Sequence, residues 1–195
     1  MVKKSKNKIL WEKAIKIIPS GNSFLSKNPI RFESDKWPIY FLKAKGSTVW
    51  DLDGKKYHDF SLMGVGTNIL GYSNTKVDSE VFRKIKNGNM TTLNCPEEVI
   101  FADMLLKIHP WAKMAKFAKT GAEANAIAVR ICRAYNKKNK IIICGYHGWH
   151  DWYLSAIYSK KNYLDTHLFP NLKTEGVPKY LKKYVYSVKY NDLLT

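Results

Sequence analysis

The sequence predicts an α/β protein, in which an amino-terminal helix and a small antiparallel meander precede alternating strands and helices. Three observations favour this class. Apolar residues recur at helical spacing in residues 8–18, and apolar and polar positions alternate in residues 39–60. Between residues 113 and 144 an apolar run, an amphipathic stretch and a second apolar run follow one another, which is typical of a βαβ unit with a right-handed crossover.

Turn residues set the expected boundaries of these elements. Pro19 and Gly21 end the first helix, and Gly46 and Gly54 mark the two turns of the meander. Five further elements are expected: helices over 75–86 and 97–108, a strand near 113–118, a helix over 122–135 and a strand over 140–144. Residues 156–183 carry little periodic signal, and we interpret them as a long excursion with an active-site or interface role.

The helix expected over residues 122–135 has one face of small and apolar residues. We predict that this face packs closely on a sheet, whereas Arg130 and Arg133 point elsewhere. The face consists of Ala124, Ile127, Ala128, Ile131 and Ala134.

The three cysteines are odd in number and show no C-x-x-C spacing, which argues against a disulfide framework or a zinc knuckle. They fit a reducing compartment, and we predict a cytoplasmic protein. Cys132 and Cys144 are interpreted as small buried hydrophobes. Residues 8–18 lack the unbroken apolar run of a signal peptide, and we predict no membrane span.

The formal charge of +17 suggests nucleic-acid binding, because dense basic patches supply the salt-dependent part of such binding. Only four of the 33 basic residues are arginine, however, and lysine pairs such as 137–138 and 182–183 are scattered along the sequence. Recognition of base edges and phosphates favours arginine. We therefore predict no nucleic-acid partner, and a basic nucleic-acid-binding domain remains an alternative.

Residues 119–148 form the most informative stretch. Thr120-Gly121-Ala122 is a small-residue turn that opens a helix, where free N–H groups and the positive end of the helix dipole can bind a phosphate. Tyr146 follows the next strand, at the sheet edge where α/β proteins hold ligands. A phosphate and a ring held side by side suggest pyridoxal phosphate. Taken alone, the small-residue turn is also typical of an ordinary capped helix, and a tyrosine after a strand is also typical of simple packing.

The motifs and their order resemble class III, fold type I aminotransferases, particularly those similar to glutamate-1-semialdehyde aminomutase. The paired signature lies in residues 120–125 and 145–148. Four further segments match this family in the expected order: Ala44-Lys45-Gly46, residues 49–57, Leu70-Gly71-Tyr72 and residues 94–98. The resemblance implies that residues 1–60 form the helix, arm and meander of a small domain. It makes residues 61–195 the incomplete first half of a three-layer α/β/α domain that binds pyridoxal phosphate.

The resemblance also implies cofactor-binding roles for five residues. Gly121 and Ala122 are expected to bind the phosphate through backbone N–H groups, with a contribution from Thr120. Many family members have a hydroxyl residue where Ala122 stands, so binding here must rest on the backbone. Tyr146 aligns with the aromatic that stacks on the pyridine ring, and His147 is expected to support that ring without acting as an acid or base.

An enzyme of this family moves an amino group between a small-molecule amino donor and a carbonyl acceptor, or within one substrate. Members are roughly twice the length of this chain and are expected to be homodimers. The Schiff-base lysine is expected downstream of Thr195, so the isolated chain is predicted to be inactive. Asn191 is expected to begin a helix at the end of this sequence. Three explanations for the short length of the chain are ranked in this order: a truncated fragment, a split-enzyme subunit and an inactive chain.

His147, His150 and Asp151 support one more alternative. The pattern H-x-x-H-D could place three metal ligands on one side of a helical turn, as in a metal hydrolase. The spacing is only permissive, and we predict no metal. Trp149 and Trp152 are interpreted as packing residues of a pocket wall or a subunit interface.

Overall fold

The computed structural model describes residues 4–32, 36–61, 63–89, 91–158 and 175–192. The chain divides into two compact units, residues 1–94 and residues 95–195. The domain boundary that the resemblance implies after residue 60 stays a prediction.

In the first unit, helix α1 (Lys6–Ile17) is bonded at its amino end to the turn of the meander. The Asp53 carboxylate accepts hydrogen bonds from the Ser5 hydroxyl, from the Lys6 N–H at 2.8 Å and from the Asn7 side-chain amide at 2.9 Å. A carboxylate here also faces the positive end of the helix dipole. The predicted first helix is thereby confirmed, and it ends just before Pro19.

The predicted antiparallel meander is also confirmed. Its strands pair in chain order and are β1 (Phe41–Lys45), β2 (Thr48–Asp51) and β3 (Lys56–His58). Gly46 and Gly54 lie in the turns with φ of +57° and +83°. The buried Asp51 carboxylate closes the second turn, because it accepts bonds from two backbone N–H groups of that turn and from the Tyr57 hydroxyl. After the meander, helix α2 (Thr75–Lys86) coincides with its predicted range.

The described part of the second unit contains two long helices, one short helix and a pair of short parallel strands. In chain order its elements are α3 (Pro96–Ile108), α4 (Gly121–Asn136), β4 (Ile141–Ile143), α5 (Asp151–Leu154) and β5 (Val185–Ser187). Strand β4 pairs in parallel with β5, with Ile141 opposite Val185. Short 3-10 helices precede β5 and follow α5. The predictions of α3, α4 and β4 are confirmed to within two residues at each end.

The core of the second unit lies between β4, β5 and α5. Ile143, Tyr153, Ala156 and Val185 form a buried cluster, in which Tyr153 and Ala156 have no exposed surface. Partly buried hydrophobic side chains surround it: Ile141, Trp152, Leu154, Ile157 and Tyr184. This cluster fixes the segment after β4, which carries the predicted aromatic.

The strand predicted near residues 113–118 is not formed in the described part of the chain. A strand needs a neighbour for its backbone N–H and C=O groups. Among the described residues β4 pairs with β5, and no strand pairs with residues 113–118. The apolar pattern of this segment was sufficient to suggest a strand, but pairing decides whether one exists.

Two burial predictions are wrong for the described structure. Ala124, Ala128, Ile131 and Ala134 are exposed, and Ile127 is only half-buried, so the small-residue face of α4 does not pack on the two-stranded sheet. Two strands of three residues cover too little area to bury a 16-residue helix. Cys132 and Cys144 are exposed for the same reason, since nothing described covers their faces.

Some predictions fall partly outside the described residues. Most of the excursion over 156–183 does so, because residues 159–174 are not described. Asn191 has φ of +56°, which is not the extended backbone of an N-cap, and the residues after 192 lie outside the described ranges. No helix in the described residues is long and apolar enough to span a bilayer.

Candidate functional site

The amino end of α4 is closed by a capping box. Thr120 Oγ1 accepts a hydrogen bond from the Glu123 N–H at 3.2 Å. Glu123 Oε2 in turn accepts bonds from the N–H groups of Lys119 and Thr120, both at 3.1 Å. The pattern T-x-x-E at residues 120–123 is the sequence signal for this arrangement. Thr120 is therefore the N-cap, and its hydroxyl proton makes no bond to a described residue.

The capping box leaves two backbone donors unused. Within the described residues, the N–H groups of Gly121 and Ala122 make no hydrogen bond, whereas those on either side are bonded. A Cβ placed on Gly121 would meet no atom within 4 Å, so the space beside this amide is open. Two free N–H groups at the positive end of a 16-residue helix are able to donate hydrogen bonds to an anion.

Gly148 brings the two signature segments together. A Cβ on this residue would lie 2.5 Å from the Ala122 Cβ and 2.9 Å from its Cα. The loop after β4 therefore rests directly on the second residue of α4. The Asn125 side-chain amide strengthens the contact by donating a hydrogen bond to the His147 carbonyl at 3.3 Å. The structure thus places residues 145–148 beside the predicted phosphate turn.

Tyr146 lies at the edge of this loop, with 55% of its surface exposed. Its ring meets Trp149 edge to face at 6.1 Å between centroids, and Tyr153 at 5.8 Å. Partial burial raises the pKa of the Tyr146 hydroxyl, although a hydrogen bond with the Trp149 side chain opposes this shift. The ring is therefore held on its inner side while much of its surface stays accessible to a planar ligand.

His147 supports the loop from within. Its Nδ1 lies 2.9 Å from the Gly145 carbonyl oxygen, so Nδ1 carries the proton and donates. The ring also lies 5.8 Å from that of Tyr153. Both contacts hold the turn that follows β4 in place, so the His147 side chain has a structural role in this loop.

Tyr153 is a residue that the sequence analysis did not single out. It is fully buried and contacts the rings of both Tyr146 and His147. Burial raises the pKa of its hydroxyl to about 12, although a hydrogen bond with the His147 backbone opposes this shift. The sequence does not distinguish Tyr153 from the other aromatic residues, because its contacts with Tyr146 and His147 depend on how α5 packs. Asn125 was visible within the motif, but its bond to His147 was not.

The metal-hydrolase alternative is not supported by the described residues. They contain no group of three or more His, Cys, Asp or Glu side chains placed to hold a metal ion. His147 is engaged with Gly145, while His150 and Asp151 are exposed at the start of α5. The Trp149 and Trp152 side chains pack against Tyr146 and Tyr153, as expected for packing residues.

Comparison with known proteins decides the family. A sequence model of the family described as aminotransferase class-III matches residues 31–193. The chain belongs to this family. The predicted resemblance is confirmed, and members of this family are enzymes.

This class-III aminotransferase chain is about one third identical in sequence to two curated relatives. The 3-aminobutyryl-CoA aminotransferase of Cloacimonas acidaminovorans is 33% identical over 193 residues, which are 98% of this chain and 42% of the relative. The glutamate-1-semialdehyde 2,1-aminomutase of Methanobrevibacter smithii is 34% identical over 188 residues, which are 95% of this chain and 41% of the relative. The chain thus spans about two fifths of the length of these relatives.

A solved structure supports the same fold. The FumI protein of Sphingopyxis sp. MTA144, described in its PLP internal aldimine form, matches with a TM-score of 0.77 at 25% identity. The match covers 95% of this chain and 41% of that protein. The predicted fold class is confirmed as the amino-terminal portion of a fold type I transferase, and pyridoxal phosphate is the cofactor of the family.

Proposed function

We propose that this chain provides the phosphate turn and the ring-stacking aromatic of a pyridoxal phosphate site. One observation carries the proposal: the two unbonded N–H groups of α4 lie beside the loop that carries Tyr146. A phosphate monoester needs several donors, and a pyridine ring needs a flat apolar surface. The turn at residues 120–122 and the exposed Tyr146 ring fit both needs, and the order of these residues along the chain is that of the family.

Each residue has a distinct task in this proposal. Gly121 and Ala122 donate backbone N–H groups to the phosphate, and the missing side chain of Gly121 lets the anion approach. The free proton of the Thr120 hydroxyl adds a third donor. Tyr146 stacks on the ring, and His147 holds the loop through Gly145. When bound, the cofactor supplies the electron sink that amino-group transfer requires.

The reaction proposed for the whole enzyme is transfer of an amino group between a small-molecule donor and a carbonyl acceptor, or within one substrate. We propose that the enzyme is a cytoplasmic homodimer, with no nucleic-acid or membrane partner. We also propose that the nucleophilic lysine lies downstream of Thr195. This follows the resemblance and the length of the relatives, of which the chain spans 41–42%. A solvated lysine has too high a pKa to serve in its place.

The test uses pyridoxamine phosphate, which can bind without a Schiff base. Fluorescence titration of the 195-residue chain should show saturable binding, and pyridoxamine without phosphate should bind at least about tenfold more weakly, because it lacks the charge-assisted bonds. Gly121→Val should reduce pyridoxamine phosphate affinity by a similar factor. Because the Cβ of residue 121 meets open space, this change should leave the free energy of unfolding nearly unaltered.

Ala134→Val is the matched control, since it adds a similar branched side chain to an exposed position of the same helix. It should leave binding unchanged. Equal affinity for the two pyridoxamines, or equal affinity of the Gly121→Val and wild-type chains, would contradict the proposal.

A further inference from the structure

A cleft of the 95–195 unit lies at the other end of β4 from the Tyr146 loop. Lys140 immediately precedes β4 and Tyr184 immediately precedes β5, so this cleft opens at the amino ends of both parallel strands. It has a volume of about 520 Å³ and is lined by residues 137–140, Lys183, Tyr184 and Tyr186. We refer to it as the basic cleft. Because ligands of the proposed cofactor site sit at the carboxyl ends, the two sites are separate.

The basic cleft concentrates positive charge. Four of its lining residues are lysines, none is acidic, and no described carboxylate forms an ion pair with Lys137, Lys138, Lys140 or Lys183. Lys183 lies far from the pair 137–138 in the sequence, and the fold brings it to the same cleft. The four ammonium groups of this cleft repel one another. Binding of a multivalent anion would offset that repulsion, so the cleft favours such a ligand.

An adjoining cleft adds directional donors. It has a volume of about 270 Å³ and shares Asn139 and Tyr184 with the basic cleft. Trp152 lines it, and the indole N–H of this residue is buried without a hydrogen-bond partner among the described residues. Arg133 also lines it and bonds the Asn139 carbonyl through Nε at 2.9 Å. A buried donor without an acceptor is costly, so a ligand acceptor at this point would be stabilising.

We propose that the two clefts together bind a nucleoside polyphosphate. Its phosphates contact the lysines of the basic cleft, and its base enters the adjoining cleft, where ring acceptors meet Trp152 and Arg133. Tyr184, which lines both clefts, stands between the two parts of the ligand. The volume of the basic cleft lies within the range of small-ligand sites. The assignment is a binding site only, separate from the chemistry of amino-group transfer.

Calorimetric titration of the 195-residue chain with ATP tests this assignment. We expect one saturable site, with inorganic triphosphate binding about tenfold more weakly and inorganic phosphate more weakly again, because each lacks part of the contacts. Replacing Lys137, Lys138, Lys140 and Lys183 by Gln should lower ATP affinity at least about tenfold. Trp152→Phe keeps an aromatic ring but removes the N–H, and should bring ATP affinity close to that of inorganic triphosphate.

The control variant removes the same charge elsewhere, by replacing Lys13, Lys16, Lys76 and Lys116 with Gln. It should retain ATP affinity within about threefold, since separated surface charges are screened by salt. An equal loss in both quadruple variants, or no saturable ATP binding, would overturn the proposal. Gly121→Val should leave ATP binding intact. Loss of ATP binding in that variant would place the nucleotide at the start of α4 and overturn the separate site.

Discussion

At the scale of single residues, Gly148 has two independent reasons to be glycine. Its φ of +108° lies in a region that side chains disfavour, and a Cβ would collide with Ala122. Because Thr120, Gly121, Ala122, Tyr146 and His147 stand in motifs, the sequence predicts cofactor-binding roles for them, and these roles stay predictions. It could not predict the contact of Gly148 with Ala122, which joins positions 26 residues apart and depends on how the loop folds back.

Gly148→Ala should therefore destabilise the chain strongly. The collision is worth about 1–3 kcal/mol as overpacking, and the left-handed backbone adds about 1–2 kcal/mol. Gly145→Ala is the matched control, because Gly145 also has positive φ, at +85°, but its Cβ would meet nothing within 4 Å. Urea unfolding should show only the backbone part of the cost in the control. Equal destabilisation of the two variants would mean that the Ala122 contact is not close.

At the scale of secondary structure, an element could be predicted from the sequence when the residues that determine it are close together in the chain. Helix α4 carries its own cap in Thr120 and Glu123, so its start was predictable from four consecutive residues. The meander carries its turn glycines in the same way. The segment over residues 113–118 has an apolar pattern but needs a partner strand, which local sequence does not specify. The prediction that the small-residue face of α4 is buried was wrong for the same reason, because burial depends on which other elements cover the helix.

The link between α1 and the meander is another element-scale feature, and it should depend on pH. Hydrogen bonds from the Ser5 hydroxyl, the Lys6 N–H and the Asn7 side chain lower the pKa of Asp53 to about 2, from an ordinary value of 3.8. Because the folded pKa is the lower one, the link contributes stability above about pH 4. This contribution is lost as the pH falls toward about 2.

We expect the Lys6 amide resonance to shift in step with the Asp53 carboxylate, with a midpoint near pH 2. Asp53→Asn cannot titrate, so the same resonance should stay unchanged over this range. A midpoint near the ordinary value of 3.8 would show that α1 is not bonded to Asp53 in solution.

At the scale of the whole molecule, the described structure buries few apolar side chains. Among the described residues, the buried hydrophobic ones are Ala14, Ile143, Tyr153, Ala156, Val177 and Val185. Large apolar side chains remain open to water in both units, as Phe60 (96% exposed), Ile69 (87%) and Met114 (87%) illustrate. Large exposed apolar patches on a protein mark sites of association with other chains. Burying such surface against another chain is favourable in proportion to its area.

The 195-residue chain on its own should therefore associate in solution. Sedimentation velocity over a dilution series should show species larger than a 22.5 kDa monomer. Trp111→Asp with Met114→Asp should shift the distribution toward smaller species, because these side chains are 81% and 87% exposed and apolar. Ser79→Asp with Thr92→Asp changes the net charge equally at exposed polar positions, and should leave the distribution unaltered. A monomer that persists at all dilutions would show that the apolar surface is not available for association, and an equal response of both double variants would make net charge the cause.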